Sequence, residues 1–174
     1  MRSLGVMAAA LAAGLLLGVA AHAQQPQLAP PAQPSAPPPE YGLPISNEQA
    51  KAAAGAAIAE AKRNNWRVAV TVVGPDGELV YFEKMDGAQN ASASLSQAKA
   101  RTAALFRRPS KVFADQFAAG NTGFMSFPDD ARPIASEGGV PIVVNGRLIG
   151  AIGASGGTGQ QDGQLAAVGA SAVR

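Results

Sequence analysis

A run of glycine and small polar residues, Gly153-Ala154-Ser155-Gly156-Gly157-Thr158-Gly159, leads from an apolar segment into a stretch of helical character. A helix start carries unpaired backbone N–H groups and the positive end of the helix dipole, so Gly153, Ser155, Gly156 and Gly157 are candidates to receive an anion such as phosphate. The run lacks the Lys-Ser/Thr ending of a phosphate-binding loop, which argues against nucleotide hydrolysis. The same glycines also suit a tight corner that needs positive φ, and both readings stay open. Asp129, Asp130 and Asp86 lack the spaced acidic pattern of a calcium loop and read as turn residues, so no metal site is expected.

Two absences restrict the chemistry further. There is no cysteine, hence no disulfide and no thiolate nucleophile. The single histidine, His22, falls in a small-x-small site, Ala21-His22-Ala23, behind the positive Arg2 and an apolar stretch. Residues 1–23 therefore read as a signal peptide cut after Ala23, and the exported chain, periplasmic or secreted, would carry neither an imidazole nor a transmembrane span. Ser-His-Asp chemistry and histidine-held metals are excluded on that reading, and no catalytic constellation remains.

Residues 24–40 are dense in Pro, Gln and Ala and read as a disordered linker of polyproline character, leaving residues 41–174 as one domain. The charges nearly balance, 14 basic against 12 acidic with Arg2 in the leader, which argues against a nucleic-acid partner.

The elements that must position any site follow from periodicity. Ser46 with Gln49 forms a capping-box pattern before Ala50, Ala53, Ala54, Ala57, Ile58 and Ala61, a helix to about Asn64 whose alanine stripe demands a close partner. Val68 to Val73, the turn Gly74-Pro75-Asp76-Gly77 and Glu78 to Lys84 make an antiparallel hairpin. From Ser92 a second helix places Leu95, Ala98, Thr102, Leu105 and Phe106 on one face, with Pro109 ending it. Ser110 is expected to cap a shorter helix, and Asn121 to Ala135 to form an irregular loop. A second hairpin turns at Asn145-Gly146, a type I′ signature, between strands that look central, and a terminal helix turns Leu165, Ala166 and Val168 inward. The class is α+β, an antiparallel sheet built from two hairpins with helices packed on it.

The ordered set Val70 to Gly77, Lys84-Met85-Asp86-Gly87-Ala88, Lys99-Ala100-Arg101-Thr102-Ala103, Gly138-Gly139-Val140-Pro141-Ile142, Gly150-Ala151-Ile152-Gly153, Ser155-Gly156 and Asp162 resembles the GlcG/HbpS-type haem-binding family across Ser46 to Ala170. The resemblance implies a profilin-like fold, homo-oligomers and, for some members, haem binding. It also singles out Lys99, either to meet a propionate or carboxylate or as a solvated or oligomer-interface lysine. With no imidazole, haem iron would be left to Met85, Met125, Tyr81 or a neutral lysine, Met85 being the candidate carried forward beside its ordinary reading as a packing residue. The expected function is an exported, non-catalytic ligand-binding module for haem or another tetrapyrrole. The alternative is a small accessory subunit of a larger periplasmic oxidoreductase such as a quinoprotein alcohol dehydrogenase.

Overall fold

Ser46 starts the first helix by a reciprocal cap: its hydroxyl accepts from the Gln49 N–H, and the Gln49 side chain accepts from the Ser46 N–H. The computed structural model describes residues 37–174; the expected leader and nearly all of the tether lie outside the described residues. Helix α1 (Asn47–Arg63) buries its alanines against the sheet and against the terminal helix α4 (Gly159–Ser171). The close partner that the alanine stripe demands is thus found within the domain.

One sheet carries five strands: β1 (Glu40–Tyr41), β2 (Ala69–Val73), β3 (Leu79–Lys84), β4 (Gly139–Val144) and β5 (Arg147–Ser155). β5 lies antiparallel to β4 across the Asn145-Gly146 turn and antiparallel to β2, which pairs with β3. β1 adds a short parallel contact at Arg147 and Leu148. Positive φ at both turn residues, 51° and 77°, is the type I′ geometry. Of the second hairpin only β5 is central; β4 pairs with β5 alone and leaves Val143 exposed, which corrects the expectation for that strand.

Val70, Val72, Ile142, Ile152 and Ala154 face α1 and α4, while Val73 and Ala151 face α2 (Ser92–Phe106). The buried side of α2 is not the one its large apolar residues suggest. Ser92, Ser96, Lys99, Ala100, Ala103 and Ala104 point inward, together with Thr102, whereas Leu95 is exposed and Leu105 and Phe106 are half-buried. The cause lies in the sheet: Gly139 and Gly153, paired across β4 and β5, leave no room, and a Cβ on either would run into the carbonyl of Lys99 or Ser96. A helix so close to bare backbone admits only small groups, and Ser96 shares a buried hydrogen bond of 2.8 Å with Thr71 there.

Ser110 also departs from expectation. Its backbone is already helical, and its hydroxyl gives no cap to α3 (Lys111–Ala118). It donates instead to the Ser136 carbonyl (2.6 Å) and accepts from the Gly139 N–H (2.9 Å), fastening the helical segment to the start of β4. The segment from Asn121 to Ala135 is irregular apart from one 3-10 turn over Gly123–Ser126, whose Phe124 packs on Phe113.

Candidate functional site

Strand register gathers the singled-out residues at one end of the sheet. Ala69, the first residue of β2, lies opposite both Lys84 of β3 and Ser155 of β5. Arg67, Met85 and the Gly156-Gly157 corner therefore share that end with the start of α4, and Lys99 reaches it from α2.

Lys99 is neither solvated nor at a surface. It is 2 % exposed, and its ammonium meets Asp162 Oδ2 at 2.7 Å and the Ala154 carbonyl at 3.2 Å. Its chain passes beside Gly138, whose φ of 129° and missing side chain open the passage. α2 on one face of the sheet is thereby tied to the first turn of α4 on the other. The carboxylate that Lys99 meets in this structure is the protein's own Asp162.

The same aspartate answers the glycine-rich run. Asp162 Oδ1 accepts from the Gly157 N–H at 3.0 Å, and Thr158 caps α4 reciprocally with Gln161. Gly156 sits at φ 148°, and a Cβ there would run into the Arg67 carbonyl, so the run is a corner that only glycine enters cheaply. Gly153 and Ser155 are buried within β5. Of the four positions considered for an external anion, two are walled off, and the Gly157 N–H is taken by an internal carboxylate.

Met85 stands differently. It is 8 % exposed and packs on the main core, yet it lines an open cleft of about 250 Å³ with Lys62, Arg67, Glu83, Lys84 and Asp86. Lys62 comes from the last turn of α1, Arg67 from the link into β2, and Lys84 from the end of β3. Among the described residues neither Lys62 nor Arg67 has an ion-pair partner, and the Lys84 ammonium donates only to Asn90 Oδ1. The cleft thus carries three cations against two carboxylates, Glu83 and Asp86, a net positive lining. Sequence reasoning passed over Lys62 and Arg67 and took Lys84 only as part of a family element; the available signal was that each sits at an element's end, and only the register shows that these ends meet.

The other clefts differ in kind. One of about 320 Å³ near the Asn145-Gly146 turn has a single cation, Arg147, already paired with Glu40. Two beside α2, about 140 and 210 Å³, share Arg101, which pairs with Glu78.

For iron, the described residues offer little. Tyr81 donates to Glu83 (3.2 Å), and burial, followed by the Glu83 charge, pushes its phenol up, so it stays protonated. Met125 is exposed on the 3-10 turn, outside the cationic cleft. Only the Met85 thioether lies at the cleft, and a thioether is a known axial ligand.

The model of the family described as "Haem degrading protein HbpS-like" matches residues 45–171. Protein GlcG of Escherichia coli K12 is 41% identical over 111 residues, 64% of this chain and 81% of that protein. Among solved structures, a double mutant of HbpS from Streptomyces reticuli superposes with a TM-score of 0.69 at 27% identity, covering 84% of this chain and 98% of the other. A PduOC:heme complex gives 0.69 at 25% identity, covering 76% and 96%.

Proposed function

The chain belongs to the HbpS-like family, and from that premise we propose that it is an exported, non-catalytic module that holds a haem-type tetrapyrrole. Export rests on the leader pattern of residues 1–23. Haem as the ligand rests on the family description and on the related PduOC:heme complex. The observation in this chain that carries the reading is the open cleft where Lys62, Arg67 and Lys84 stand without carboxylate partners beside Met85. The residues fit the acid edge of the group: the cations would hold the propionates, while Met85 borders the cleft as a residue of the core. A bound haem would supply redox and ligand-exchange chemistry at its iron. The protein's own part is to bind and orient it, since the one buried ion pair near the corner, Lys99 with Asp162, is closed on itself.

Titration of the purified protein with hemin, followed by the Soret band and by quenching of Trp66, the single tryptophan, tests the reading. Saturable binding is expected, and its absence would end the proposal. Co-purification with larger cytochrome and quinoprotein subunits, with no Soret response from the chain itself, would favour the accessory-subunit alternative.

A further inference from the structure

We propose that the cleft recognises the carboxylate edge of a tetrapyrrole and is indifferent to its metal; this deepens the reading above and rests on it. The donor set is the first reason. Among the described residues the cleft is lined by one guanidinium, two ammonium groups and two carboxylates, Glu83 and Asp86, with no imidazole, thiol or phenol; the cations outnumber the carboxylates, and none of the three is in ion-pair contact with them. Cations held ready for acids recognise carboxylates by charge-assisted hydrogen bonds, which are the strong ones. The one soft donor, Met85, is held by the bond from its own N–H to the Val68 carbonyl and by its packing on the core.

Size is the second reason. At about 250 Å³ the cleft falls below the roughly 300–1,000 Å³ of pockets that enclose drug-sized ligands, and a tetrapyrrole is larger than most of those. A macrocycle enters such a space by one edge, and its propionate edge is the one the charges favour. The remainder of the ring, metal included, stays outside the cleft.

The test compares three probes on the full chain by Trp66 quenching: hemin, metal-free protoporphyrin IX, and hemin with both propionates esterified. Protoporphyrin IX is expected within about threefold of hemin, and the diester at least about tenfold weaker, the loss expected from removing a charged hydrogen-bond partner. Arg67→Gln and Lys84→Gln should weaken hemin and protoporphyrin IX by the same factor, with Arg108→Gln as an exposed control. Met85→Leu should leave the affinity for hemin and the Soret position as in the parent. Hemin binding more than about tenfold tighter than protoporphyrin IX, or a Soret shift in Met85→Leu, would overturn carboxylate reading while leaving haem binding intact. Failure of all three probes to bind would remove the haem reading and this inference together.

Discussion

Two sets of charges lie at the same end of this sheet and behave in opposite ways. Lys99 and Asp162 are buried, bonded to each other and to backbone, and reach nothing outside the fold. Lys62, Arg67 and Lys84 stand at the rim of an open cleft with no carboxylate in ion-pair contact. Lys99, Asp162 and the glycine-rich run belong to the first set and the candidate ligand contacts to the second. A glycine-rich motif with a lysine and an aspartate can thus be the signature of a packing arrangement, here α2 seated on bare strand backbone and latched to α4. Of the proposed ligand contacts, Lys62 and Arg67 lie outside the motif set, and Lys84 stands within it in Lys84-Met85-Asp86-Gly87-Ala88.

Breaking the inner set should have the largest effect. Lys99→Met leaves the Asp162 carboxylate buried without its cation, and the expected loss is about 3–5 kcal/mol of unfolding free energy in a denaturant melt. Combining it with Asp162→Leu should recover part of that loss, because a pair replaced by apolar groups leaves no orphan charge. A double variant no more stable than the single would show that the Asp162 bond to the Gly157 N–H matters as much as the ion pair. Next in size is Gly153→Ala. Its new Cβ meets the Ser96 carbonyl, so α2 must lift from the sheet, at about 1–3 kcal/mol or more. Hydrogen exchange at the α2 amides should rise with it; unchanged stability would mean that the helix has slack the packing does not show.

How much of this was legible in the sequence depends on the range of each signal. The Ser46–Gln49 cap and the Asn145-Gly146 turn are local, and both stand where the residue types put them. The α2 face was misread because periodicity assumes a sheet surface made of side chains. Above Gly139 and Gly153 there are none, and the rule that large apolar residues turn inward fails there. Lys99 and Asp162 lie 63 positions apart, so no spacing rule joins them. The clue was that Asp162 is the sole carboxylate side chain after Glu137, set in a helix start of small and amide residues. Nothing in the sequence joins Lys62, Arg67 and Lys84, which end α1, precede β2 and end β3; strand register brings them together.

Neutralising the outer set should leave the fold almost untouched. Arg67→Gln and Lys84→Gln are exposed changes that break no ion pair among the described residues, so melting should shift by no more than about 0.5 kcal/mol while hemin affinity falls. A stability loss comparable to that of Lys99→Met would erase the distinction between the two sets.

The smallest effect concerns a third kind of charge, half-buried and partnered. Glu60 on α1 holds Arg63 and Asn64 on its own helix and accepts from Gln164 of α4 (2.9 Å). The Arg63 hydrogen bond above all, then those of Asn64 and Gln164, place its carboxyl below the ordinary 4.5. A carboxyl lowered in the fold binds its proton more readily when unfolded. Its contribution is therefore present in full above 4.5 and is lost as the pH falls through the lower folded value. Glu60→Gln should flatten the acid limb of stability against pH while leaving hemin binding at neutral pH unchanged. An acid limb identical to the parent's would show that solvent screening cancels the network and that only the buried pair couples the helices by charge.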